Sequence, residues 1–363
     1  MDLYLSDSNF LQQDPIEDYE TLIWTDRYDV PGEFELHVPW SENLAANLRT
    51  RKYLRQSESK SIMMIETSFL ERPSQNRKQN LVKLSGRSFE AFFENRNSAS
   101  SSTDGRMPDP RTGSRAAIAC ALVNDYAVNN TAIIDRIPGL TIAPDPPAGT
   151  SVALEVARGP LDQMVHDVLS PDRLGWRVQS IYINGTQQPG TIQFAVYKGI
   201  DYTIPGLNAV SLEFSPDLEN LTDISTLESI ATYKNHARMV GAKTGINVYL
   251  PNAPSTVTGL ERRTVVVEAL DIGADSTTTV AEDQIALTAR GVEVLLSPEN
   301  RYQQLVDGDA LTADSTTFMA AGLGDILYVR DSNGIKSKVR ISEKIWTADE
   351  AGQKRLPTFE AVE

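Results

Sequence analysis

The stretch Thr21-Leu22-Ile23-Trp24-Thr25-Asp26-Arg27-Tyr28-Asp29-Val30-Pro31-Gly32-Glu33-Phe34-Glu35-Leu36-His37-Val38-Pro39 sets the fold class. Its first arm is rich in β-branched and aromatic residues. In its second, Phe34, Leu36 and Val38 alternate with Glu33, Glu35 and His37, the period of a strand with one buried face. Pro31-Gly32 suits the central positions of a type II turn, because proline presets φ and glycine supplies φ > 0. A β-hairpin follows, and the chain around it reads as predominantly β with helical insertions.

Working outward, Ser41 is placed to cap a short helix through Leu48. Ser61–Glu66 and Leu81–Gly86 read as strands, and Ser88–Phe93 opens a helical turn. The polar run Asn97–Gly105 marks a boundary. Beyond it come a helix with Ile118, Leu122 and Tyr126 on one face and a Pro-rich loop, 144–149. A second helix has Pro160 at its first position and Leu161, Met164, Val165, Val168 and Leu169 on one face. Trp176–Ile183 and Thr191–Tyr197 are strands about an Asn184-Gly185 turn. Val210–Phe214 alternates, Ser225–Gly241 holds one or two strands, and Thr264–Ala269 reads as a short buried strand. A helix from about Ala281 to Leu296 presents Ile285, Ala289, Val292 and Leu296. Ile326–Arg330 and Ile335–Ile341 form a hairpin about Asp331-Ser332-Asn333-Gly334.

The chain has 363 residues, 40% of them apolar and 23% charged, as in an ordinary globular protein. No apolar run reaches the ~18 residues of a membrane helix, so no membrane span is expected. The N-terminus carries no signal peptide of the usual kind, which predicts synthesis in a cytoplasm. The net charge of −15 argues against general or sequence-specific nucleic-acid binding. Residues 1–40 hold ten acids and one base, whereas 41–100 hold six acids and eleven bases.

Local chemistry is sparse. The single cysteine, Cys120, lies in an apolar helical run and reads as a buried thiol. His37, His166 and His236 share no metal spacing, and no nucleotide-binding or nucleophile-elbow motif occurs. No catalytic, cofactor or metal residues are therefore assigned, and no enzyme activity or cofactor is expected. One alternative is a cell-wall hydrolase using Glu17, Asp18 or Glu20. Another is a carbohydrate-binding adhesin stacking sugars on Trp24, Trp40, Trp176 or Trp346, although each tryptophan lies in or beside a strand and suits a core.

The Tyr19–Pro39 segment resembles the opening of a family of minor tail proteins of long, non-contractile-tailed phages of actinobacterial type: a Trp-Thr/Ser-x-Arg-Tyr strand, a Pro-Gly turn and a Phe-x-Leu-x-Val/Leu-Pro strand. Ile62–Glu66, Leu84–Arg96, Gly324–Val329 with Lys338–Glu343, and Leu356–Glu360 are similar to later blocks in the same order, although the family often has Phe-Gly where this chain has Phe359-Glu360.

The resemblance implies an α+β, predominantly β fold with two tube-like antiparallel β-barrels and inserted α+β domains. The expected divisions are a first barrel at 1–97, an inserted domain at 98–205, a second barrel at 206–254 and 304–363, and a small helical insertion at 255–303. It implies a structural virion protein, a homotrimeric hub at the distal tail tip of a siphovirus. Such a hub would connect the tail tube and distal tail protein to tape measure and receptor-binding proteins, with genomic DNA passing through its channel. A lytic or receptor-binding extension seen in similar hubs is not expected here. The net charge predicts a neutral or acidic lumen, so Arg49, Arg51, Lys52, Arg55 and Lys60 are expected to face subunits or the outer surface and meet the acidic 1–40 block.

Overall fold

The computed structural model describes residues 2–40, 48–71, 80–96, 109–130, 132–183, 186–204, 212–250, 258–274, 278–297, 300, 303–310, 315–330, 334 and 336–362. The expected helix after Ser41, the Asn97–Gly105 loop and the Asn184-Gly185 turn lie outside these residues. So do Val210 and Ser211 of the alternating run, and the Asp331–Asn333 part of the last turn.

The fold is mostly β with some helices. The first block forms β1 (Leu3–Ser6), β2 (Gln12–Pro15), β3 (Thr21–Arg27), β4 (Glu33–Pro39), β5 (Tyr53–Gln56), β6 (Met63–Glu71) and β7 (Leu81–Ser88), then a 3-10 turn at Phe89–Asn95. The next supplies β8 (Asp109–Gly113), α1 (Arg115–Val123), β9 (Leu140–Ile142), β10 (Val152–Val156), α2 (Leu161–Leu169), β11 (Gly175–Ile183) and β12 (Thr186–Tyr197). Then come β13 (Glu213–Phe214), β14 (Leu221–Ser229), β15 (His236–Gly241), β16 (Gly245–Tyr249), β17 (Thr264–Ala269) and α3 (Val280–Leu296). The chain closes with β18 (Gln303–Ala310), α4 (Ser315–Ala320), β19 (Ile326–Arg330), β20 (Lys336–Asp349) and β21 (Gly352–Ala361). Two compact units result: residues 1–225 with 306–363, and residues 226–305.

In the first unit the predicted hairpin is present, with Thr21 opposite His37 and Thr25 opposite Glu33. Its buried positions Leu22, Trp24, Phe34, Leu36 and Val38 lie in one apolar core with Trp346 and Phe359 from the far end of the chain. The two ends meet because β3 pairs with β20, Trp24 directly opposite Trp346. A single sheet therefore runs β14-β18-β21-β20-β3-β4-β7-β6-β5-β1-β2, with β19 joining β20 to β13. The two end blocks form one continuous sheet, and no closed barrel forms among the described residues.

A second core lies around α1, α2 and the β11–β12 pair, where Phe93, Trp176 and Phe194 cluster. The expected apolar face of α2 is buried in full, with Pro160 at the cap rather than at the first helical position. The first helix widens after Val123 into a π turn, Asn124–Val128. That turn carries Tyr126, whose hydroxyl donates to Asp109 Oδ2 at 2.6 Å.

The second unit is a three-stranded sheet, β16-β15-β17, with α3 packed on it. Two expectations fail here. The helix buries Asp283, Leu287, Gly291 and Leu295, leaving Ile285 72% exposed. Of the expected stripe Val292 packs on the core, but the face that meets the sheet most closely carries Gly291, where a Cβ would stand 2.6 Å from Val248 Cγ2. The strand β17 is not buried but half-exposed, Val266 pointing outward from a sheet edge beside β15.

The Pro31-Gly32 connection also differs from its expected form. Gly32 is not among the residues with positive φ, so the turn is not type II. Glycine is needed for space instead. A Cβ at Gly32 would stand 2.3 Å from the Thr25 carbonyl oxygen. The Gly32 N–H donates to Ser88 Oγ at 2.8 Å, and the Ser88 N–H returns a bond to the Gly32 carbonyl at 2.9 Å. Gly32→Ala, which a type II turn would oppose through φ, is opposed here by collision. It is expected to cost about 1–3 kcal/mol in urea unfolding, the usual range for overpacking; unchanged stability would mean the two backbones do not approach this closely.

Candidate functional site

The residues between β3 and β4 sit where three parts of the first unit meet. The Tyr28 N–H donates to the Ser342 carbonyl at 3.0 Å, and the Tyr28 carbonyl accepts from Trp176 N–H at 3.2 Å. The Tyr28 hydroxyl donates to the Arg173 carbonyl at 3.0 Å, and the Arg340 guanidinium lies 5.4 Å from the ring centroid. The ring fits because glycines flank it. A Cβ at Gly175 would stand 2.3 Å from Tyr28 Cε2, and one at Gly324 would stand 2.1 Å from the same atom. Next door, the Asp29 carbonyl accepts from the Trp176 indole at 2.8 Å. Arg27 pairs with Glu33 at 2.6 Å and with Glu343 at 2.7 Å.

Beside this wedge lies a cavity of about 300 Å³ bordered by ionisable groups. Asp26 is buried and accepts from the Trp24 indole at 3.0 Å and from Ser59 Oγ at 2.6 Å. Lys344 is buried and donates to the carbonyls of Phe318 and Ala321, both at 2.8 Å. Those carbonyls end α4, where the helix dipole favours a cation. Glu58 binds Arg355 through 2.6 and 2.9 Å contacts and accepts from the Trp346 indole at 3.0 Å. Glu90 accepts from Val178 N–H at 2.6 Å, while its Oε2 is buried without a partner. Asp325 accepts from Ile200 N–H and Gly322 N–H, each at 2.7 Å.

Burial displaces these groups in opposite directions. It raises Asp26, Glu90 and Asp325 and lowers Lys344 to about 8, despite the pull of Asp26, Asp325 and Glu58 in the other direction. For Glu58, burial is outweighed by Arg355, and its carboxyl falls below the usual range. Each of these side chains is engaged in holding strands together, and among the described residues no cluster of His, Cys, Asp and Glu has metal-binding geometry.

The residues singled out in the sequence lie elsewhere. Glu17, Asp18 and Glu20 are exposed between β2 and β3. Trp24, Trp176 and Trp346 are buried and Trp40 packs on the first core, so the three buried rings have no face to offer a sugar. Cys120 is buried in α1, its thiol pushed up to about 11 by burial. His37 contacts Glu35 at 2.8 Å, His166 approaches the Asp29 carbonyl at 3.5 Å, and His236 is buried beside Thr264 and Arg262. The basic run is split. Arg49, Arg51, Lys52 and Lys60 are exposed, but Arg55 is buried against β11 and β12 rather than facing outward, because Gln187 and Tyr182 accept its hydrogen bonds. The sequence reading missed Lys344, Glu90 and Asp325. One signal was present: Lys344 shares the buried phase of β20 with Trp346 and Ala348.

A family model described as Siphovirus ReqiPepy6 Gp37-like protein matches residues 2–359. Among solved structures, a tail protein from Neisseria meningitidis MC58 is similar at 12% identity and TM-score 0.56, covering 99% of this chain and 96% of that one. The 43 kDa tail protein of prophage MuSo2 from Shewanella oneidensis is similar at 9% identity and TM-score 0.57, covering 99% and 97%. Prophage tail protein gp18 from Listeria monocytogenes EGD-e follows at 12% identity and TM-score 0.50, covering 99% and 94%. Comparison with curated proteins finds no match.

The buried lysine gives a signed pH dependence. Below pH about 8 the folded protein holds a charged, desolvated ammonium. Above it the folded state sheds that proton while an unfolded lysine, near 10.5, keeps its own, so stability rises with pH across this window. The raised carboxyls act oppositely, losing stability as pH climbs from the ordinary carboxylate range through their folded values. Comparing wild type with Lys344→Met in urea at pH 8 and 10.5, the wild type should gain roughly 3 kcal/mol on the variant. A difference that stays flat would mean Lys344 is solvated.

Proposed function

Because the chain belongs to the siphovirus ReqiPepy6 Gp37-like family of tail proteins, we propose that it is the structural hub at the distal tip of a long non-contractile tail. Three copies form a ring, each contributing two tube-like β-barrels built from its end blocks. The ring joins the tail tube and distal tail protein to tape measure and receptor-binding proteins, and genomic DNA leaves through it. The role is architectural rather than catalytic, and the protein is synthesised in the host cytoplasm before joining the virion.

The observation that carries this reading is the joining of both ends of the chain in one sheet through β3 and β20, with residues 109–204 wedged against it at Tyr28. Among the described residues the terminal strands of this sheet are β14, β2 and β13, and pairing of such edges with neighbouring subunits would satisfy their open backbone groups. The net charge of −15 fits a passage that does not retain a polyanion.

Light scattering on the purified protein should give three times the 40.0 kDa chain mass, and gold-labelled antibody on intact phage should mark only the tail end distal to the head. Label along the tube or at the head would overturn the placement. A zymogram on host cell walls should show no clearing; a cleared band would make the role catalytic.

A further inference from the structure

In so acidic a chain, bases find carboxylates readily. Arg27 pairs with Glu33 and Glu343, Arg87 with Glu66 and Glu94, Arg111 with Asp109 and Asp125, and Arg355 with Glu58. Three bases do not. Arg55, Lys60 and Arg177 cluster where the β5–β6 connection meets β11, at the Ser61–Gln179 bridge. None of the three has a carboxylate partner among the described residues.

Arg55 is only 6% exposed, yet its guanidinium donates solely to neutral oxygens, Gln187 Oε1 and the Tyr182 hydroxyl, both at 2.8 Å. Its Nε is buried with no acceptor, and so is that of Arg177, whose guanidinium lies 4.4 Å from the Tyr197 ring centroid. Lys60 is exposed and makes no hydrogen bond or ion pair with any described residue. The charge of Arg177 is the largest influence lowering its pKa. A desolvated cation without a counter-charge is costly, and an anion held nearby offsets part of that cost by its field rather than by bonding the buried Nε.

The space for one exists. A groove of about 350 Å³ is lined by Arg55, Lys60, Gln179, Tyr182 and Gln193, and no carboxylate of the described residues borders it. On the far side of Lys60, the cavity of the junction does contain carboxylates. There Asp26 is held by Trp24 and Ser59, Glu58 by Arg355 and Trp346, and Glu90 by the Val178 N–H. Arg177 borders that cavity, Arg55 borders the groove, and Lys60 borders both.

We propose that this groove is a binding site for an oxyanion, a phosphate or carboxylate group. Lys60 is its contact cation, Arg55 is the fixed charge behind it, and the amides of Gln179 and Gln193 donate alongside. The shared chemistry is a compact oxygen anion. It can come from a free small anion or from an acidic segment of a neighbouring protein. The site is independent of the hub assignment.

Isothermal titration of the full chain with inorganic phosphate, and separately with a hexaglutamate peptide, tests this at ionic strength held constant with sodium chloride. At least one probe should bind saturably, and Lys60→Met should weaken it at least tenfold. Because Lys60 is exposed, this variant should keep the wild-type melting temperature. Gln193→Leu should weaken binding several-fold as a second check. Saturation by phosphate alone points to a free anion; tighter binding of the peptide points to an acidic partner segment. No saturable heat with either probe, or equal affinity in wild type and Lys60→Met, would overturn the proposal.

Discussion

The first unit depends on one steric fit, the Tyr28 ring held between Gly175 and Gly324. Those glycines come from the start of β11 and from the residues just before β19, far apart in sequence. A side chain at either position would occupy the space of the ring. The approach is tight enough that Gly199 must also lack a Cβ, which would stand 1.9 Å from the Gly324 carbonyl carbon. Tyr28 then hydrogen-bonds by backbone or hydroxyl to both neighbours, so the same residue that spaces the three segments also joins them.

The charged groups around that wedge are costly where they stand. Burying Asp26, Glu90, Asp325 and Lys344 offers less stability than apolar residues of the same shape would supply. What the arrangement supplies is register. The Lys344 ammonium fits only where the carbonyls of Phe318 and Ala321 both face it. Asp26 fits only where the Trp24 indole and Ser59 converge. A one-residue slip of β20 against β3 would place Lys344 on the other face and leave these acceptors unfilled. Polar groups at a seam between distant segments thus exclude alternative pairings that an apolar seam would tolerate.

The secondary elements of this chain were largely legible. Alternation in Glu33–Pro39 and the apolar spacing of Leu161–Leu169 each describe a face that a neighbour buries, and in both cases the residues facing inward are the ones the period selects. Legibility failed where two faces were both plausible. In α3, apolar residues occupy two stripes, and the presence of Gly291 opposite Val248, not hydrophobicity, decides which one meets the sheet. It failed again at Gly32, where a Pro-Gly pair implied a turn geometry and the actual demand is room beside the Thr25 carbonyl.

The sequence alone determined what is local: period, turn chemistry, charge balance and the ordered motifs that mark a phage tail protein. Period and turn chemistry depend on residues within a few positions of one another, where backbone geometry transmits the constraint directly, and charge balance and motif order need only the residues and their sequence. The tertiary structure alone decided that β3 lies beside β20, that Tyr28 fills the gap between two glycines, and that Arg55 turns inward to Gln187 and Tyr182. Each of these is a meeting of segments more than a hundred residues apart. No period or composition encodes such a meeting, because which surfaces meet is settled by the packing of the whole core.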